Sequence, residues 1–377
     1  MIKLLTVILA CMAVTFVQAE DKFFGQTFFD YGYNVGRDAG FSSFKKTAAI
    51  NGYGSQEANA YGFAFRRIQF TWDHIINESL SSRFRLETDG KATSNDGIFT
   101  NSSNTVQPGN LTTYIKDAYI KYTPINALEI QVGLITTLSY ENAEANWGYR
   151  CIEKTFSDLR KLVGTRDLGM LVKYKFDDKA NYIAGLEYGN GFDNYISAES
   201  NVFKRFSANF TAKPFDNFTT SIYYEQNWMD KNLDYKNIGY FAGYNLKGVF
   251  TLGAEFWYQM QAYGNTYKID TINNNTEAKN QMGFSIFGNV IIIPELALVV
   301  RFDNFDPNTI NTETKIKQST GDSRNYIMGG LDWKITPNLS LIPNVQYETY
   351  QTWKDAAGKE TTYKPSVNAR FTVFYRF

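Results

Sequence analysis

The fifteen residues from Tyr363 to Phe377 constrain this chain more tightly than any other segment. Counting back from Phe377 in steps of two gives Phe377, Tyr375, Val373, Phe371, Ala369 and Val367. The intervening set is Arg376, Phe374, Thr372, Arg370 and Asn368. Successive side chains of a strand point to opposite faces, so one face here is apolar and the other mostly polar or cationic. Such a strand suits a wall with lipid on one side and water on the other.

The amino end fits the same setting. Met1-Ile2-Lys3 carries one positive charge, and Leu4 to Val17 is apolar apart from Thr6 and Thr15. Val17-Gln18-Ala19 then offers a small-residue cleavage site before Glu20-Asp21-Lys22. This predicts a secretory signal peptide over 1–19, too short to count as a membrane span. A lipoprotein signal cut before Cys11 is the rival reading. The remainder, 20–377, reads as a single outer-membrane β-barrel domain.

Lys3 is the only charged residue of 1–19, which leaves 37 basic and 38 acidic side chains beyond it. A balance this even gives no reason to expect nucleic acid as a partner. Cys151 is the one cysteine after the signal, so no intrachain disulfide framework is available. Aromatics reach 16%, with 26 Tyr and 30 Phe. No apolar run long enough for a spanning helix follows the signal. An aromatic excess without such a run fits girdles at two membrane interfaces around a β-barrel.

Connections alternate between short and long. Short polar or Pro-containing turns fall at His74–Asn77, Thr123–Asn126, Phe176–Lys179, Lys213–Asn217, Leu246–Gly248, Ile293–Glu295 and Thr336–Asn338. Between them run segments rich in Gly, Asn, Ser, Thr and charge, at about 36–59, 91–110, 139–164, 190–201, 230–235, 263–278, 307–322 and 353–363. Seven turns and eight loops predict sixteen strands, with both termini on the periplasmic side.

Alternation holds within strands. Leu80, Ser82, Phe84 and Leu86 interleave with Ser81, Arg83, Arg85 and Glu87. Leu168, Met170, Val172, Tyr174 and Phe176 interleave with Asp167, Gly169, Lys173 and Lys175, and Leu171 alone breaks the pattern. A one-residue slip would put these charges into hydrocarbon at roughly 2–4 kcal/mol each near the midplane. Closure removes the unpaired edges that lipid does not tolerate. The expected fold is therefore all-β, a transmembrane antiparallel β-barrel of sixteen strands. A barrel of that size encloses an aqueous lumen. The expectation is a passive pore for small hydrophilic solutes, integral to the bacterial outer membrane and in contact with the lipid bilayer.

Catalysis has little support. His74, the only histidine, falls in a predicted short turn, far from the long loops and the barrel mouth where a nucleophile would have to sit beside it. No His/Cys cluster has metal-ligand spacing, and Asp303, Asn304, Asp306 and Asn308 lack the Gly and Glu of a calcium loop. The chain is expected to be no enzyme and to need no cofactor. Ser139 to Arg166 is more informative. Ala143-Glu144-Ala145-Asn146-Trp147 has helical character, and Ile152, Phe156, Leu159 and Val163 recur at helical spacing with charges opposite. Such a loop must bury its apolar face. Folded into the lumen it would form a constriction; laid over the barrel rim it would not. If inward, it would bring Arg150, Lys154, Arg160, Lys161 and Arg166 to the waist, against the opposing charge of Glu141, Glu144 and Glu153.

This region also carries a resemblance. Asp117-Ala118-Tyr119-Ile120-Lys121-Tyr122-Thr123-Pro124 is followed by Leu128 to Gly133, Tyr140-Glu141-Asn142, Arg150-x-x-Glu153-Lys154-x-Phe156 and Arg166-Asp167-Leu168-Gly169. That order resembles the constriction-loop region of the phosphate-selective (O and P type) porin family, which implies sixteen strands and a homotrimer. The Lys and Pro often found shortly after the glycine are replaced here by Leu134-Ile135-Thr136-Thr137-Leu138. Phosphate selectivity is thus not carried over with the porin assignment.

Parity turns Arg67, Arg83, Arg85, Lys121, Lys173, Lys175 and Arg205 toward the lumen, among twelve inward bases against eleven inward acids. Those numbers leave open an anion path set by placement and mutual neutralisation across strands. Phe203, Tyr223, Phe241, Trp257 and Phe287 also point inward. They could stack on sugar rings in a carbohydrate-selective porin, or form a bed for the loop. A surface adhesin or receptor using the long Asn- and Thr-rich loops is the reading from another class.

Overall fold

A computed structural model describes residues 20–36, 58–59, 61–88, 113–191, 204–228, 234–260, 266–270, 275–278, 280–307, 309, 323–354 and 359–377. The signal segment 1–19 with Cys11, most of the long loops, and Phe203 lie outside the described residues. The strands are β1 (Glu20–Gly36), β2 (Tyr61–Ile75), β3 (Leu80–Thr88), β4 (Thr113–Ile125), β5 (Leu128–Thr136), β6 (Arg166–Lys175), β7 (Tyr182–Gly189), β8 (Lys204–Ala212), β9 (Phe218–Trp228) and β10 (Tyr235–Leu246). They continue as β11 (Phe250–Met260), β12 (Thr266–Asp270), β13 (Asn275–Ala278), β14 (Gln281–Ile293), β15 (Leu296–Asp306), β16 (Arg324–Thr336), β17 (Leu339–Tyr350), β18 (Trp353–Lys354), β19 (Glu360–Thr361) and β20 (Ser366–Arg376).

Sixteen of these close into one antiparallel barrel, each paired with its neighbour in sequence and β20 sealed to β1. The β12–β13 and β18–β19 ribbons are two-stranded hairpins within long connections. Every short turn and long loop expected from the sequence separates the expected pair of barrel strands. Closure pairs Tyr375 with Thr27 and Val373 with Phe29, and the Gly25 and Phe377 backbones exchange hydrogen bonds of 2.8 and 3.0 Å.

Outside, the alternation leaves an apolar belt of exposed side chains, among them Phe70, Ile120, Val132, Leu186, Ile222, Leu252, Ile286 and Val300. Rings collect toward the end that carries the short turns: Phe23 stacks on Trp72 at 5.9 Å, Tyr375 on Phe377 at 6.0 Å, and Phe215 on Phe218 at 4.7 Å. Inside, the wall is polar, and the core lies off-centre between that wall and the segment from Thr137 to Thr165. An apolar exterior around a polar interior is the architecture of an integral outer-membrane barrel.

Two local departures from strict alternation matter for the interior. In β2, Phe28 pairs with Arg67 but Phe29 pairs with Phe65, so Arg66 is an extra residue. In β4, Arg85 pairs with Asp117 and Leu86 with Ile115, so Lys116 is extra. Each is a β-bulge, which lets two consecutive side chains address the same face. Arg66 and Arg67 both point inward, as do Lys116 and Asp117.

Candidate functional site

The loop folds into the barrel. Helix α1 (Glu141–Trp147) lies across β9, β10 and β11, and a four-residue helix α2 (Phe156–Leu159) follows. The helical spacing from Ile152 to Val163 therefore overstates the helix. Lys161 at φ 55° takes the left-handed conformation and turns the chain away from α2. The apolar positions are buried nonetheless: Ile152, Phe156, Leu159, Leu162 and Val163 sit against Trp257, Phe305, Phe241 and Phe287.

Inward glycines make room for α1. Gly243 and Gly253 face each other across β10 and β11. A Cβ there would come within 2.7 Å and 2.5 Å of the Asn146 amide. Leu171, the residue that breaks the alternation of β6, packs beneath the loop with Ile135 and Leu162. Its inward position is thus a packing contact. Tyr223, Phe241, Trp257 and Phe287 are likewise bedding under the loop, at 2–5% exposure. They are not available to stack on a sugar.

Polar contacts fix the loop to the wall. The Phe156 N–H donates to Glu255 at 3.1 Å, and Asn237 and Gln259 both donate to the Leu162 carbonyl, at 2.8 and 2.9 Å. Arg66 donates to the Cys151 and Ile152 carbonyls at 2.8 Å each. Arg301, braced by Asp303 at 2.7 Å, donates to the Lys154 carbonyl beneath the Trp147 ring. Tyr149 reaches Asp332 at 3.1 Å.

The expected waist residues part company here. Arg160 is fully buried in a 2.9 Å ion pair with Glu348, so it does not face the lumen. A guanidinium in a dry contact needs its carboxylate, which is why it points into the wall. Lys161 is exposed, and Lys154 is half-buried against Asp158 at 3.1 Å. Arg150 holds Glu144 at 2.5 Å and Asp158 at 2.7 Å. Burial raises the Asp158 carboxyl, but Arg150 and Lys154 more than offset this and hold it well below the usual carboxylate range. Arg166 pairs with Asp117, which Arg85 also approaches at 3.1 Å.

Of the expected lumen bases, Arg205 is also a correction. It is 1% exposed and surrounded by Asp167, Glu187 and Glu225, beneath the loop. Arg67 is largely buried beside Glu87. Arg83 is bound in bidentate fashion by Asp73, at 2.6 and 2.7 Å. Lys173 reaches both carboxylate oxygens of Glu141, at 2.8 and 2.7 Å. Lys121 lies 4.0 Å from Glu129, and Lys175 sits half-buried at the short-turn end of β6.

Parity counting missed Arg66 and Lys116 because each bulge shifts the phase. The signal was present: Phe63 and Phe65 are odd-numbered outward residues, whereas Ile68, Phe70 and Trp72 are even. Ile115 is followed in the same way by Ala118, Ile120 and Tyr122.

Among the described residues, a two-part cleft stays open between α1 and the inner wall. One part, about 320 Å³, is lined by Arg83, Arg85, Arg166 and Lys173 facing Glu141 and Glu144. The adjoining part, about 400 Å³, adds Lys116, Arg150 and Arg376. Counting the side chains that are ion-paired directly to these, Arg83, Arg85, Lys116, Arg150, Arg166, Lys173 and Arg376 meet Asp73, Glu87, Asp117, Glu141, Glu144 and Asp158. Bases exceed acids by seven to six in this set, and by seven to two among the side chains that line the cleft themselves. Glu87 and Asp117 lie at 0% side-chain exposure behind the bases they hold. Elsewhere on the inner wall, Asp30, Asp167, Glu187, Glu225, Glu255, Asp303, Asp332 and Glu348 are all buried.

No protein-family model and no curated protein sequence matches the chain. Solved structures do match. An anion-selective porin from Comamonas acidovorans aligns over 96% of this chain and 100% of its own, with 13% identity and a TM-score of 0.59. The outer membrane channel DcaP of Acinetobacter baumannii aligns over 96% and 99%, with 13% identity and a TM-score of 0.61. Salmonella typhi OmpF, solved with daunomycin, aligns over 95% and 97%, with 12% identity and a TM-score of 0.59. The chain thus shares, along nearly its whole length, the sixteen-strand barrel fold seen in outer-membrane porins.

Proposed function

We propose that this protein is an outer-membrane porin, a water-filled channel for passive diffusion of small hydrophilic solutes, with a weak preference for anions, phosphate included. One observation carries the reading: the inward loop buries the acid-rich wall and leaves a cleft in which bases outnumber acids. Charges in a narrow passage between low-dielectric walls act more strongly on a passing ion than charges at an open rim. Glu141 and Glu144 oppose the preference, which keeps it weak. Similarity to an anion-selective porin and to other outer-membrane channels supports the channel reading. A homotrimer is proposed with it, in line with the resemblance to trimeric porins.

Reversal potential across a planar bilayer under a salt gradient is the test. The expected sign is that of anion preference, and a cation-selective potential would overturn the selectivity. Absence of any channel conductance from folded protein would overturn the porin reading itself and favour an adhesin or receptor barrel. Mild chemical cross-linking in outer-membrane fractions should yield a ladder ending at three subunits.

A further inference from the structure

We propose that the lumen carries, at its short-turn end, a binding subsite for small aromatic carboxylates. Phe24 stacks on the ring and Arg376 takes the carboxylate. The inference rests on the porin reading above and adds a ligand class that net anion preference does not specify. Phe23 stacks on the outward Trp72, so Phe24 turns to the inner face, opposite Thr71. It is 40% exposed there, whereas the inward rings of Phe28, Phe241, Phe287, Phe305 and Phe374 are 2–6% exposed. Those five belong to the apolar clusters packed with the loop. Phe24 instead lines the cavity of about 400 Å³.

Arg376 lines the same cavity. It pairs with Gln26 across the seam between β1 and β20, which makes Phe24 and Arg376 diagonal neighbours on one face. Such neighbours are roughly 7–8 Å apart, within reach of aromatic and long side chains. Arg376 is exposed and lies over the Phe374 ring at 4.4 Å, and among the described residues it has no carboxylate partner. Glu144, the carboxylate that lines this cavity, is held by Arg150 at 2.5 Å. An aryl ring laid against Phe24 therefore brings its carboxylate to a guanidinium with no acid of its own. Aromatic rings pair at centroid separations of roughly 4.5–7 Å, a contact worth roughly two- to tenfold in affinity. A guanidinium matches a carboxylate through two parallel hydrogen bonds. Small-molecule sites begin at roughly 300 Å³, so the cavity has room for one such solute.

Ligand-observed NMR titration of the purified protein, folded in detergent micelles, tests this with isosteres. Benzoate is expected to bind several-fold more tightly than cyclohexanecarboxylate, which keeps the charge and loses the aromatic face. It should also bind several-fold more tightly than benzamide, which keeps the ring and loses the charge. Phe24→Leu should remove the advantage over cyclohexanecarboxylate while leaving the reversal potential in potassium chloride unchanged. Arg376→Gln should remove the advantage over benzamide. Phe24→Leu, outside the closing strand, carries the test if Arg376→Gln does not fold. Equal affinity for benzoate and cyclohexanecarboxylate in the unmodified protein would overturn the proposal. So would a benzoate advantage unchanged in folded Phe24→Leu, even if anion preference stands. Binding is read without current, so absent conductance with benzoate binding intact would remove the porin reading and not the subsite.

Discussion

Cys151 illustrates how burial governs chemistry at a single residue. It is 3% exposed under the loop, and burial pushes its thiol up to about 12, against the opposing influence of Arg66. Only about one molecule in 10⁴ would carry the reactive thiolate at pH 8. Maleimide labelling should therefore be negligible in folded protein and complete after heat denaturation in detergent. Rapid native labelling would mean that the loop is not packed as described. The buried bases make a second case. Among the described residues Arg205 is the cation paired with Asp167, Glu187 and Glu225, so Arg205→Gln leaves uncompensated carboxylates at a cost of roughly 3–5 kcal/mol. It should lower the heat-modifiable folded fraction while leaving reversal potential nearly unchanged in molecules that fold. Arg85→Gln, on the cleft, should behave oppositely, shifting the potential toward cations with little loss of folded protein.

The inward loop is held at many points, so its deletion is more informative than any one substitution within it. Removing 143–162 should raise single-channel conductance and flatten selectivity, because Glu144, Arg150 and the cleft-facing side of α1 leave together. Unchanged conductance would place the loop away from the pore axis. The ion pairs that Asp158 makes with Arg150 and Lys154 should also persist in acid. The Asp158 pKa is depressed on folding, so its stabilising contribution is present above the ordinary carboxylate pKa. That contribution is lost only when pH falls through the depressed value, so Asp158→Asn should leave the pH dependence of conductance between pH 7 and about pH 4 unchanged, and a step that disappears in this variant would show Asp158 titrating there. The closing strand β20 is the other decisive element. Its outward Tyr375 and Phe377 cap the seam against β1, where Phe377 lies over Gly25. Deleting Phe377 should reduce the folded fraction in the outer membrane far more than Lys359→Ala, and equal yields would show the terminal aromatic to be dispensable.

For the whole molecule, seven short turns on one side and eight longer connections on the other give a topology that surface labelling can check. Tags in the turns near Asp178 and Asn338 should stay hidden on intact cells. Tags near Asn101 and Asn274, outside the described residues, should be reached, and the reverse pattern would invert the barrel. Strand number and register were legible in the sequence because side-chain direction in a strand is local: Leu80 to Glu87 or Phe250 to Met260 declare their faces without reference to anything distant. Legibility failed where phase slipped, at Arg66 and Lys116, since a bulge depends on the partner strand as well as on its own residues. Helical spacing likewise showed that 141–164 has an apolar face but not where α2 stops. The sequence by itself determined a closed barrel with a polar interior and near-equal inward charge. Only the tertiary structure decided which of those charges a solute can meet. The loop's apolar face needed Tyr223, Phe241, Trp257 and Phe287, and by settling on them it buried Glu187, Glu225, Glu255 and Glu348. Hydrophobic burial, a contact between segments far apart in the chain, thereby set the electrostatics of the passage that remains.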